Sequence, residues 1–172
     1  MESPIQSQAT PLPAELPYTA RLDGFGAEHP SLLFVGDAAL SPDEKKLMLA
    51  MIKAMNLELA TQVFVADFFS GISGWPQDDT FIEKQELLGS YLQSQQQIRC
   101  VVSLGVGGAK LLHGTEVVIQ DIKSRWNDCS LAPNTATYST YHPRDMLKRP
   151  ESKRPAWADL QAILKFLNET TL

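Results

Sequence analysis

The sequence predicts an α/β fold: a three-layer sandwich in which a central parallel sheet of about four strands carries helices on both faces. Short, uninterrupted apolar runs recur at residues 31–35 (SLLFV), 62–66 (QVFVA) and 99–104 (RCVVSL), as in strands that are buried on both faces. Amphipathic segments of helical length separate these runs, and strands that alternate with helices form parallel sheets. The 172 residues, of which 44% are hydrophobic, suit a single domain.

The helix after the first strand has the clearest start. Ser41 can cap it, Pro42 suits its first turn, and Glu44 can reach back to complete a capping box. We expect this helix to run to about Met55, with a methionine-rich stripe that packs in the core.

The later elements are predicted from apolar spacing and from turn residues. They are, in order, a helix over 81–96, a tight turn at 105–108 into a short helix at 109–112, a minor strand within 116–122, an irregular stretch at 126–134, a strand at 135–138, a polar basic loop from His142 to Arg154, and a closing helix from Pro155.

Composition divides the chain into an arm and a domain. Residues 1–19 are polar, proline-rich and without periodicity, which predicts a flexible N-terminal arm before a single domain at 20–172. No signal peptide is visible, and no apolar run approaches the roughly 20 residues that cross a membrane. Cys100 and Cys129 are isolated, so we expect no metal site and no cofactor, a cytoplasmic location and no membrane partner.

Four candidate site residues directly follow predicted strands. They are Asp37, Asp67, Gly105 and His142. Because ligands bind at the carboxyl ends of the strands in parallel sheets, these residues are expected to share one rim. Two readings stay open for the titratable ones. His142 and Asp37 can be catalytic, or they can be turn residues whose side chains bond the local backbone.

Cations gather near the C-terminus of a chain whose net charge is −5. We call Arg144, Lys148, Arg149, Lys153 and Arg154 the basic cluster. Their concentration indicates contact with phosphate groups, although the overall charge argues against a protein that coats nucleic acid through charge alone. The alternative is that these cations only solvate the approach to the last helix.

The C-terminal motifs resemble those of the uracil-DNA glycosylase superfamily. His142-Pro143 is followed by Leu147-Lys148-Arg149-Pro150, by Lys153-Arg154 and by Trp157-Ala158-Asp159-Leu160, and this order is similar to that of the family. Leu104-Gly105 and residues 109–112 are similar to its third-strand motif. The resemblance implies a glycosylase-like fold, with Asp37 and His142 in the catalytic positions. It further implies that Asp67, Phe68 and Gly105 contact a base, and that the basic cluster contacts the DNA backbone.

The departures from that family concern the chemistry. Asp67 stands where the family has an asparagine, and an ionised carboxylate cannot donate a hydrogen bond to a uracil carbonyl. After Leu40 the chain enters a capped helix, which leaves no room for the family's base-stacking loop. The four cysteines that hold an iron–sulfur cluster have no counterpart.

This chain also resembles the psi-subunit family of the bacterial clamp loader, which has a short Asp-containing loop before its first helix and a flexible N-terminal arm. That family has the glycosylase fold without the chemistry, and its arm binds its partners. The first hypothesis is therefore a glycosylase-fold protein of DNA replication or repair that acts by contact with clamp-loader or other replication proteins and touches DNA weakly. The alternatives are an active uracil-DNA glycosylase and a small-molecule-binding α/β domain.

Overall fold

The computed structural model describes residues 22–68 and 80–169. The strands are β1 (Asp23–Gly26), β2 (Leu32–Val35), β3 (Val63–Phe68), β4 (Cys100–Leu104), β5 (Trp126–Asn127) and β6 (Ala136–Thr140). The helices are α1 (Pro42–Ala54), α2 (Thr80–Ser94), α3 (Gly105–His113), α4 (Ile119–Ile122), α5 (Pro143–Lys148), a 3₁₀ helix (Pro150–Ser152) and α6 (Lys153–Glu169).

The strands form one mixed sheet of six, in the order β1-β3-β2-β4-β6-β5. Neighbours within β3-β2-β4-β6 are parallel, and β1 and β5 add antiparallel edges. The α/β prediction is confirmed, whereas the sheet is larger than the expected four strands and is not purely parallel. The edge strands escape sequence reasoning because β5 has two residues and β1 (DGFG) is half glycine.

The glycines of β1 are required by its close approach to β3. A Cβ atom on Gly24 would lie 2.0 Å from the carbonyl oxygen of Val65, and one on Gly26 would lie 2.2 Å from that of Val63. The residues that make this strand possible are thus ones that lower its strand propensity.

Side chains alternate between two cores on opposite faces of the sheet. Leu32 and Phe34 of β2 join the core that α1, α5 and α6 complete, and Leu33 and Val35 join the one completed by α2 and α3. All four are fully buried, which explains why β2 is an uninterrupted apolar run. The helices therefore lie on both faces, as predicted.

Helix α1 begins as expected. The Ser41 hydroxyl accepts a hydrogen bond from the Glu44 amide at 3.2 Å, and the Glu44 carboxylate accepts one from the Ser41 amide at 3.0 Å. The helix ends at Ala54 with Met55 as its C-cap, and Met48, Met51 and Met55 are buried, which confirms the methionine stripe as core.

Three predictions about the second half of the chain are wrong. The expected turn at 105–108 is the first turn of α3, because Gly108 brings the helix against the sheet: a Cβ there would lie 2.3 Å from the carbonyl oxygen of Val35. The minor strand expected within 116–122 is instead the short helix α4. The loop expected from His142 to Arg154 contains α5 and the 3₁₀ helix, and α6 begins at Lys153 instead of Pro155.

The predicted arm at residues 1–19 lies outside the described residues. Among the helices that the structure describes, none combines the length and the apolar character needed to cross a bilayer.

Candidate functional site at the strand ends

His142 reaches across the carboxyl ends of three neighbouring strands. It follows β6, and glycines follow the two strands beyond it. A Cβ atom on Gly105, after β4, would lie 2.9 Å from the Cβ of His142, and one on Gly36, after β2, would lie 3.8 Å from its Nε2. The absence of a side chain at Gly105 leaves room for His142, whereas the distance at Gly36 is an ordinary contact. His142 and Gly105 therefore meet at the rim, as the sequence predicts.

The hydrogen bonds of His142 determine its tautomer. Its Nδ1 accepts a hydrogen bond from the Arg144 amide at 2.9 Å, so the neutral ring carries its proton on Nε2. Burial is the main cause that lowers the pKa of His142, and Arg144 lowers it further, against the opposing influence of Glu44, Asp145 and Asp37. The residue is 3% exposed, and its Nε2 has no hydrogen-bond partner among the described residues.

Asp37 is placed by the first turn of α3. A Cβ atom on Gly107 would lie 2.1 Å from the Cγ of Asp37, so the carboxyl group packs directly on the glycine. The backbone oxygen of Asp37 accepts a hydrogen bond from Lys84 Nζ at 3.1 Å. These contacts hold the Asp37 loop against α3. Asp37 shares the rim with His142 and acts on it electrostatically, as the pKa of His142 reflects.

Asp67, near the end of β3, also helps to hold the loop that contains Asp37. Its Oδ2 accepts a hydrogen bond from the Leu40 amide at 3.3 Å, which connects the end of β3 to the start of α1. At least one oxygen of the predicted base-contacting carboxylate is thus engaged by the protein's own backbone. Phe68 is the last residue of β3, and its side chain lies outside the described part of the structure.

The basic cluster divides into two parts. Arg144 Nε lies 3.7 Å from the Glu44 carboxylate, so this cation has an acidic partner within the fold. The other four, Lys148, Arg149, Lys153 and Arg154, are exposed and form no ion pair with any described residue. They occupy the end of α5, its C-cap and the first turn of α6. We call these four the basic turn.

Glu44 is the rim residue that sequence reasoning missed. One oxygen completes the capping box of α1, and the other faces Arg144, whose amide holds the His142 ring. The sequence shows the first role because it is local. The second depends on α1 and α5 meeting in space, for which the sequence carries no signal.

Replacing Glu44 with glutamine is expected to lower the pKa of His142, because the carboxylate raises that pKa and glutamine keeps the capping box. Titration of the imidazole by NMR measures it, with His142→Gln used to assign the signal. Asp43→Asn removes the same charge one residue earlier and is the control. An unchanged or raised pKa in Glu44→Gln would show that Glu44 does not act on the ring.

A cavity of about 370 Å³ lies next to Gly105. Its lining includes two cations, Lys123 and Arg149, and two acids, Asp145 and Glu151. Lys123 is already engaged, since its Nζ donates to the Tyr141 hydroxyl at 3.2 Å and lies 4.4 Å from the centre of that ring. The balanced charges give this cavity no preference for an anion.

Neither cysteine is exposed at the rim. Cys100 and Cys129 are buried in the core, and burial raises the pKa of Cys100 to about 12. Within residues 22–68 and 80–169, no three His, Cys, Asp or Glu side chains are grouped to hold a metal ion.

No protein-family model matches the chain, and no curated protein matches it.

Proposed function

We propose that this chain is a uracil-DNA-glycosylase-fold protein of DNA replication or repair that has lost base excision and acts through macromolecular contact, as the psi-subunit family does. Its partners are replication proteins such as those of the clamp loader, together with a weak, phosphate-directed contact to DNA. The basic turn is the observation that carries this proposal.

The basic turn concentrates exposed positive charge within a short stretch of the chain, with one acid, Glu151, between its two pairs of cations. Lys153 and Arg154 lie in the first turn of α6, a helix of 17 residues, where the helix dipole already places positive charge. Lys148 and Arg149 add to it, and no described acid forms an ion pair with any of the four. Exposed cations without ion-pair partners are available to phosphate groups, which supports a contact between this surface and a polyanion.

The rim supports the loss of excision. Asp37 packs on Gly107, and Asp67 accepts from the Leu40 amide. Both carboxylates therefore help to hold one loop in place. A carboxylate at Asp67 also lacks the donor that a uracil carbonyl needs. The carboxylates of the site thus have a structural purpose that does not require a flipped base.

His142 favours a second candidate, an active glycosylase. A buried N–H donor without a partner is costly, by about 1–3 kcal/mol. The Nε2–H of His142 is such a donor among the described residues. A neutral imidazole that donates in this way can stabilise negative charge on a carbonyl oxygen as a base leaves.

The contact to nucleic acid is expected to be weak, strongly salt-dependent and centred on the basic turn. Two or three phosphate contacts to a single strand would give a slope of roughly −1.5 to −2 in log affinity against log salt. The double substitution Arg149→Ala with Arg154→Ala should flatten this slope by removing two of the contacts. Titration of labelled single-stranded DNA at several salt concentrations measures it.

The matched control is Lys46→Ala with Lys53→Ala. These are two exposed cations of α1, so the change in net charge is equal. If both double variants flatten the slope to the same extent, binding follows net charge and the basic turn has no special role. If the wild-type protein shows no salt-dependent binding, the proposed DNA contact is wrong.

A further inference from the structure

Trp157 lies among the cations of the basic turn. It follows Lys153 by four residues and Arg154 by three, so all three side chains are neighbours on the surface of α6. Helical side chains lean towards the N-terminus of their helix, which directs the indole over the turn that carries the two cations. Trp157 is 38% exposed, which is high for so large an apolar side chain.

The indole of Trp157 has no ring partner in the described part of the chain. The aromatic pairs there involve Phe64 with Tyr91, and Trp126 with Tyr138 and Phe166. The cation–π contacts join Lys45 to Phe25 and Lys123 to Tyr141. Neither Lys153 nor Arg154 lies over the Trp157 ring, although both are close in sequence.

Trp126 is a second exposed tryptophan, and its ring does have packing partners. It is 41% exposed, close to the value for Trp157. Its ring nevertheless packs against Tyr138 and Phe166, with centroid distances of 4.8 Å in both cases. Exposure alone therefore does not distinguish the two residues, whereas the absence of ring partners does.

We propose that Trp157 is a stacking platform for a base of single-stranded nucleic acid whose phosphates lie on the basic turn. This inference rests on the proposed function and names its nucleic-acid class. Aromatic side chains interleaved with cations bind single strands, because every base has a face that can stack and the backbone follows the positive groove. A duplex offers no free base faces along its length, since its bases are stacked on one another.

Charge complementarity selects this occupant over an apolar protein surface. A protein that covered Trp157 with apolar side chains would also have to remove water from the exposed Lys153 and Arg154 without pairing them. A single strand covers the ring with a base and pairs both cations with phosphates. The surface is thus suited to a polyanion that carries aromatic rings.

The affinity for a labelled oligothymidine strand tests the proposal in wild type, Trp157→Ala, Trp157→Phe and Trp126→Ala. Trp157→Ala is expected to weaken binding by roughly fivefold to a hundredfold, the range for the loss of one stacked base. Trp157→Phe should retain most of the affinity because a ring remains. Trp126→Ala should bind as the wild type does, and thermal melting confirms that each variant is folded.

Inorganic polyphosphate, which carries charge without bases, serves as the second probe. Its affinity should not change in Trp157→Ala, and the salt slope for oligothymidine should stay the same because no phosphate contact is lost. An equal loss for both probes would assign Trp157 a structural role and overturn the proposal.

Other results would also overturn it. If the wild type binds oligothymidine in a salt-dependent manner and Trp157→Ala binds equally well, the stacking platform is wrong while the proposed DNA contact stands. Tighter binding to duplex than to single strands would show that the surface does not select single strands, and would contradict the proposal. Absence of any binding by the wild type would remove the stacking platform and the DNA contact together.

Discussion

Replacing Asp159 with alanine is expected to lower the free energy of unfolding by roughly 3–5 kcal/mol. Asp159 is 3% exposed and accepts hydrogen bonds from the hydroxyls of Thr140 at 2.5 Å, Ser124 at 3.1 Å and Tyr138 at 3.2 Å. It thereby connects α6 to β6 and to the turn at Ser124. Alanine would leave three hydroxyl donors without their acceptor, at about 1 kcal/mol or more for each. Urea unfolding measures the loss.

Asp159→Asn separates the hydrogen bonds from the charge. Burial, the largest cause, raises the pKa of Asp159 in the folded protein, against the three hydroxyls and Lys123, which lower it. A carboxyl group whose folded-state pKa is raised stabilises the fold below its unfolded pKa, and this contribution is lost as the pH rises through the folded value. Asparagine does not titrate, so its contribution to stability does not change over this pH range.

The stability advantage of the wild type over Asp159→Asn should therefore shrink as the pH rises from below the ordinary aspartate pKa to above the raised one. Unfolding curves at a series of pH values measure it, and the exposed Asp121→Asn is the control. An advantage that stays constant or grows with pH would show that the folded-state pKa is not raised.

Gly108→Ala is expected to destabilise the protein by about 3 kcal/mol, the upper part of the range for overpacking. The new Cβ would lie 2.3 Å from the carbonyl oxygen of Val35, a backbone atom that cannot move without displacing β2.

Gly89→Ala is the opposite case. It lies within α2, and its Cβ would meet Leu131 Cδ2 at an ordinary 3.4 Å.

Gly89→Ala should therefore stabilise the fold by up to about 1 kcal/mol through helix propensity. Denaturant unfolding of both variants tests the pair. Equal effects of the two substitutions would contradict the close packing of α3 on the end of β2.

The sequence is informative where structure is local. The capping box of α1 depends on residues three apart, and both of its hydrogen bonds form as expected. The His-Pro pair is predicted to start a loop and instead starts α5, because a side-chain acceptor followed by proline is also the pattern of a helix start. The glycines at 105–108 gave an ambiguous signal, because close packing of a helix on a strand demands glycine as a turn does.

The sequence predicts which residues share the rim, but it does not predict which partners those residues contact. Strand order alone brings Asp37, Gly105 and His142 to one rim, because each follows a parallel strand. The partners of the predicted residues could not be foreseen. Arg144 pairs with Glu44, and Asp67 accepts a hydrogen bond from the Leu40 amide; both contacts join segments that are far apart in the chain. These contacts decide which groups stay free to meet a ligand.

Loss of excision with retained nucleic-acid contact is tested most directly by single strands that differ only in carrying uracil or thymine. The wild-type protein should bind both with the same affinity and the same salt slope, and should release no base from either. His142→Ala should behave as the wild type does. Release of uracil, or a preference for the uracil strand, that disappears in His142→Ala would contradict the proposal and identify the chain as a glycosylase.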